Sequence, residues 1–260
     1  ELVDSLEAEG QAGGNTALLL QRLDAAALSP FADRLLANLW AVCILQQTGR
    51  SVSSWVQVLG RLGAELERLV PEVLTRTDDG NADVRVGALE VLGELQPASL
   101  AQHAPAVASR LGDGNFGVRV AALETLGKLD ATSLAAHAPE VAACLNNNSD
   151  WGEFAVRKAA LETLGKLDAA SLAAHAPAVV ARIADRDNCV RAAAINTLGL
   201  LDSEVIMTHV PALVRLLSDQ DHNVKSAASD VLTKLGVSAI TSHLSSDGES
   251  EVRVALLESL

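Results

Sequence analysis

The chain has 260 residues, enough for one large domain or two small ones, and 49% of them are hydrophobic while only 2% are aromatic. Its core must therefore be built from Ala, Leu and Val, small side chains that favour close helix-on-helix packing. A formal net charge of −13 repels phosphate backbones and anionic lipid, which argues against nucleic acid or membrane as partner and for a basic protein or peptide.

At the N-terminus, residues 1–10 carry neither a basic region nor an apolar stretch of the secretory kind. No run approaches the roughly 18–20 apolar residues that span a bilayer. The chain begins at Glu1 rather than Met, and the expectation is a processed or excised segment, part of a larger protein. Cys43, Cys144 and Cys189 are odd in number and form no C-x-x-C pair. Reduced thiols are expected, in the cytoplasm or another reducing compartment, with no disulfide or zinc site.

Residues 1–69 hold degenerate units. Leu23 to Leu28 echo Leu129 to Leu134, but Phe31 stands where later units have His, and no Val-Arg pair follows. From residue 70 to 236 the units are regular. Val-Arg or Val-Lys recurs at Val84, Val118, Val156, Val190, Val224 and Val252, in steps of 34, 38, 34, 34 and 28 residues. His103, His137, His175, His209 and His243 keep the same beat, as do Pro71, Pro105, Pro139, Pro177 and Pro211. Residues 237–260 form a short unit without its Pro. Within a unit, Leu100, Ala104, Val107 and Leu111 mark one helix face, and Val84, Ala88, Leu92 and Leu95 mark a second. A turn such as Gly112-Asp113-Gly114-Asn115 joins the two helices, and Asp130 and Asp168 stand where a cap would open the first helix. Each unit is thus an αα-hairpin. A lone hairpin cannot bury both faces, so neighbours must stack into a single repeat domain over 1–260.

The pattern of a Pro in or before the first helix, an Asp in the turn, then V-R-x-A-A-x-x-x-L-G-x-L, is similar to HEAT repeats, with armadillo repeats as relatives. The W-x-x-L-G-x-x-Y pattern of tetratricopeptide repeats is absent. The resemblance covers about Asp24 to Leu260. It implies an all-α, right-handed α-solenoid of about six to seven hairpins whose second helices line a concave face. It also implies a non-enzymatic protein-interaction scaffold that needs no cofactor. The alternative is a HEAT-like enzyme or enzyme subunit, such as a phycobilin lyase subunit, for which no motif beyond the repeats speaks. HEAT-like DNA glycosylases are disfavoured by the acidity, and HEAT-type iron hydroxylases carry His-Glu pairs that this chain lacks.

Several columns recur once per unit. An Asp lies six residues before a cation in Asp79-Arg85, Asp113-Arg119, Asp185-Arg191, Asp219-Lys225 and Asp247-Arg253. HEAT repeats resemble this with an Asp–Arg ladder between units, so these residues are expected to be structural, each partly exposed pair contributing about 1 kcal/mol or less. In the unit with the four-residue insertion, Asp150 precedes Arg157 by seven, which sets that unit apart. The His column is expected to cap and pack at helix starts, since ligands about 2 Å from one metal ion cannot come from rungs about 10 Å apart. The candidate partner-binding column is Glu90, Glu124, Glu162, Asn196, Asp230 and Glu258. At 100° per residue Glu90 falls about 240° from Val84, away from the core. Four residues on, Lys128, Lys166 and Lys234 are placed to pair with Glu124, Glu162 and Asp230. Trp151 and Phe154, in the insertion, are candidate contact aromatics. Gly93, Gly127, Gly165 and Gly199 indicate either a helix end or a close backbone approach. No catalytic set, metal site, P-loop or dinucleotide fingerprint is present in the sequence.

Overall fold

The computed structural model describes Ala17 and residues 20–44, 50–146 and 152–236. Trp151, His243, Asp247, Arg253 and Glu258 lie outside the described residues, so their expected roles find no counterpart here. Every element among the described residues is helical, which establishes the all-α, repeat-built fold class. The chain divides into two compact bodies, Glu1–Asp130 and Ala131–Leu260.

In the N-terminal body, α1 (Ala25–Leu28) runs through a tight turn into α2 (Ala32–Ile44). The Asp24 carboxylate opens it by accepting the Ala27 amide at 2.9 Å. Then follow α3 (Arg50–Gly60), α4 (Ala64–Arg76), α5 (Ala82–Leu92), α6 (Pro97–Ser109) and α7 (Phe116–Leu126). The stretch Ala25–Ile44 is 20 residues long and apolar enough, by length and composition, to cross a membrane. This corrects the expectation that no such run exists. The interruption by Asp33 and Arg34 concealed it. Its apolar face is core, with Leu35, Leu36, Leu39 and Cys43 buried where α2 packs on α3, α4 and α5.

The C-terminal body contains α8 (Ala131–Ala135), α9 (Ala138–Ala143), α10 (Glu153–Leu164), α11 (Ala169–Ala173), α12 (Ala176–Val180), α13 (Asn188–Leu198), α14 (Ser203–Met207), α15 (Val210–Leu216) and α16 (His222–Leu235). The first helix of each unit is broken in two here. Pro139, Pro177 and Pro211 sit in the first turn of the second piece. Each ring crowds the carbonyl four residues back and each lacks an amide to donate, which favours a stop and restart here, although Pro71 and Pro105 lie inside the unbroken α4 and α6. His137, His175 and His209 occupy the restart, with φ of −110°, −106° and −112°, and none caps through its side chain. That corrects the capping role expected of the histidines. They stand half-buried at a proline-made break.

Six hairpins result among the described residues. Within each body the second helices pack in a row, α3 on α5 on α7, and α10 on α13 on α16, with first helices behind them. Val84, Ala88, Leu92 and Leu95 are buried, as are Val190, Ala194, Leu198 and Leu201. A helix flanked on both sides buries a wide arc, which is why Leu89 and Ile195 are also buried on these helices.

The recurring glycines are both of the things the sequence left open. Gly93 and Gly199 cap the C-termini of α5 and α13 at φ −66° and −64°, an ordinary right-handed conformation. A Cβ at Gly199 would lie 2.7 Å from Val231 Cγ2 of α16, and one at Gly165 would lie 3.3 Å from Leu200 Cδ1. Small residues here let successive second helices touch.

Candidate protein-interaction surface

The turn between the two helices of a unit is organised by its acidic residues. Asn81, Asn115, Asp187 and Asp221 accept amides at the start of α5, α7, α13 and α16. Two residues earlier, Asp79, Asp113, Asp185 and Asp219 accept the amides of Asn81, Asn115, Asp187 and Asp221 at 2.9–3.0 Å. Free donors at a helix start are thus satisfied by side chains.

The Arg of the second helix spans two turns. Arg85 donates Nη1 to the Asp79 carbonyl at 2.8 Å, while Nε and Nη2 grip the Asp113 carboxylate of the next unit at 2.9 and 2.8 Å. Arg191 does the same with the Asp185 carbonyl and the Asp219 carboxylate. Arg119 donates to the Asp113 carbonyl at 2.6 Å. The spacing of six therefore joins Arg85, Arg119 and Arg191 to the backbone carbonyl of their Asp and not to its carboxylate. The carboxylates of Asp113, Asp185 and Asp219 belong to the Arg 28 residues before, and that of Asp79 to Arg76. Arg157, set aside because of the insertion, makes the most buried rung. Its Nε and Nη2 reach Asp185 at 2.9 and 2.8 Å, with side chains 1% and 3% exposed. Lys225 stands exposed near Asp219 and helps lower that carboxyl's pKa.

These bidentate pairs hold their carboxylates ionised. At Asp219 the Arg191 hydrogen bonds are the largest effect, outweighing burial and holding the group below the usual range. At Asp185 and Asp113 burial is the largest single influence and pushes upward. The Arg157 or Arg85 hydrogen bonds, the turn amide and the nearby cations together still hold each carboxyl low.

A threonine column escaped the sequence reading. Thr125 Oγ1 donates to the Leu89 carbonyl of the preceding second helix at 2.9 Å, and Thr197 Oγ1 lies 3.1 Å from the Leu161 carbonyl and 2.8 Å from the Ala193 carbonyl of its own helix, which share its one proton. Both are buried. The signal was available: a Thr two residues before the recurring Gly, deep in an apolar face.

The candidate binding column divides by environment. Glu124 is exposed at the surface of α7. Glu162, Asn196 and Asp230 are exposed at matching positions of α10, α13 and α16, which lie side by side. Glu90 is only half-exposed, against the expectation of an outward carboxylate. The expected lysine partners are also different. Lys128 Nζ reaches Glu94 of the preceding unit at 3.1 Å, Lys158 rather than Lys166 pairs with Glu162 at 3.1 Å, and Lys234 donates to the Gly199 carbonyl at 2.7 Å. The carboxylates of Glu124 and Asp230 are thereby left to the surface. Phe154 is 45% exposed at the start of α10, and Phe116 is 47% exposed at the start of α7. No group of three or more metal-ligating side chains occurs among the described residues.

A family model described as HEAT repeats matches residues 70–152 and 176–260, together more than half of the chain. Among solved structures, a Kap121p mutant with three acid-to-lysine substitutions is 13% identical, with a TM-score of 0.69 over 95% of this chain and 31% of that one. A second Kap121p mutant gives 12% and 0.65 over the same shares. An engineered protein is 14% identical, with a TM-score of 0.53 over 88% of this chain and 96% of that one. The chain spans about a third of the Kap121p chains it matches. Among curated proteins none matches.

Proposed function

Because the chain belongs to the HEAT-repeat family, we propose that it serves as a non-enzymatic protein-interaction scaffold, part of a larger protein. The row of second helices within each body receives a basic or helical segment of a partner. The observation that carries this reading is the exposed column on that row. Glu162, Asn196 and Asp230 stand at equivalent positions of three adjacent helices, and Glu124 holds the same position in the N-terminal body. The lysines nearest to Glu124 and Asp230 are engaged elsewhere, so these carboxylates remain available to a cationic partner. Phe154, exposed at the start of α10, supplies apolar contact, and Trp151 is proposed to do the same.

The test uses Glu124→Lys, Glu162→Lys and Asp230→Lys together, positions exposed enough to change without disturbing the core. A partner captured with the wild-type chain is titrated calorimetrically against the triple variant. The expected result is at least about a tenfold loss of affinity, the scale of a few surface charge pairs at an interface. Unchanged affinity and unchanged salt dependence would remove the column from the binding surface.

A further inference from the structure

The half-burial of Glu90 has a specific cause within the N-terminal body. A Cβ on Gly87 would lie 2.9 Å from Cys43 Sγ, 3.8 Å from Trp40 Cζ3 and 3.9 Å from Val52 Cγ1, so both α2 and α3 rest on this side of α5. Three and seven residues on, along the same side, come Glu90 and Glu94. The end of α3 at Gly60 lies directly against the Glu94 side chain. Glu90 is therefore held in a seam between the α2–α3 hairpin and α5.

The groups around it do not balance. Glu94 stands in the turn just past the end of α5, and Glu124 and Lys128 approach from α7 and the residues just past its end. From α2 comes the Cys43 thiol, pushed up to about 12 by burial, by Glu90 and by Asp83, so it adds no competing titration. Between Val52 and Gly60, α3 contributes no charged side chain. The charges of α4 are engaged elsewhere, Arg68 with Asp33 and Glu65, Glu67 with Ser99, Glu72 with Trp40, and Arg76 with Asp79. Three carboxylates thus share one ammonium, and Lys128 is bonded to Glu94.

We infer that the seam between the α2–α3 hairpin and α5 is a proton-sensitive joint, tight when Glu90 carries a proton and loosened when all three carboxylates are charged. Burial first, then Glu124 and Glu94, push the Glu90 carboxyl above its ordinary range, and Lys128 offsets this only in part. Once the seam opens, Glu90 is solvated and its ordinary value returns. The tight state therefore binds the proton more strongly. Its extra stability is fully present below the ordinary Glu range and is lost as pH rises through the raised value. The Asp carboxylates of the inter-unit rungs are held low and stay ionised across this window, so they do not obscure it.

Hydrogen exchange of the full chain at about pH 5 and about pH 8, corrected for intrinsic rates, tests the joint. Amides of α3 are expected to be severalfold better protected at the lower pH, relative to those of α13 as internal reference. Glu90→Gln is expected to raise protection at the higher pH severalfold and to erase the difference. Equal protection at both pH values in the wild-type chain, or an undiminished difference in Glu90→Gln, overturns the proposal. If Glu90→Gln does not fold, the exposed Glu124→Gln removes one of the two repulsions. A smaller pH difference is then expected, and an unchanged one refutes the joint. Trp40 and Trp55 both lie in the hairpin and are buried. In a Trp151→Phe background their fluorescence gives a second readout that must move with the exchange data.

Discussion

At the residue scale, the rungs differ in burial and so in what their loss costs. Arg157 and Asp185 are 1% and 3% exposed, against 16% and 8% for Arg85 and Asp113. Asp185→Ala leaves a buried guanidinium uncompensated, and it is expected to cost about 3–5 kcal/mol in urea unfolding, more than Asp113→Ala. Asp113, Asp185 and Asp219 are all held below the usual carboxylate range. Their contribution is present above the ordinary Asp value and lost as pH falls through the lowered one. The urea midpoint should fall in acid, and fall less in Asp219→Asn. Thr197→Val is expected to cost about 1 kcal/mol by the same measurement, the worth of one buried hydrogen bond. Val91 and Val231 occupy the equivalent positions of their units, so the shape is tolerated. The right residues of the rungs were visible in the sequence, but their pairing was not. A spacing of six shows which groups share a turn, whereas the carboxylate that an Arg holds is set by how the next unit stacks.

At the element scale, each hairpin followed from its 34-residue beat because apolar periodicity dictates which face is buried. The break in the first helix was less legible, since a Pro fits the first turn of a helix as well as it interrupts one. Whether the recurring Gly marked an end or a contact could not be separated in sequence, because both demand a small residue at the same place. The contact has a measurable consequence. Gly199→Ala gains up to about 1 kcal/mol of helix propensity but drives a Cβ against Val231 at a cost of about 1–3 kcal/mol, so the net effect in thermal unfolding is a loss of up to about 2 kcal/mol. Gly93→Ala should cost less, because there the obstacle is the movable end of Lys128. The surroundings of Glu90 were hidden for a different reason. The hairpin that covers it comes from residues 1–69, where the repeat signature fades and register cannot be read.

At the scale of the whole molecule, composition and the repeat together settled the fold class, whereas the surface charge behind the proposed choice of partner is not dictated by the fold. With 33 acidic against 20 basic side chains, a cationic partner should be steered to the chain. The association rate measured by stopped-flow should therefore fall steeply between about 50 mM and about 500 mM salt, while dissociation changes less. A salt-independent association rate would mean that charge does not guide recognition.

The reach of Arg85, Arg157 and Arg191, 28 residues forward to a carboxylate, also makes the chain its own ruler. Excising residues 158–191, a block of 34, would bring Asp219 to that same distance beyond Arg157. The guanidinium of Arg157 would again meet a carboxylate at the spacing its neighbours use. Length can thus be edited in whole rungs, whereas a cut that changes this spacing separates Arg157 from its carboxylate.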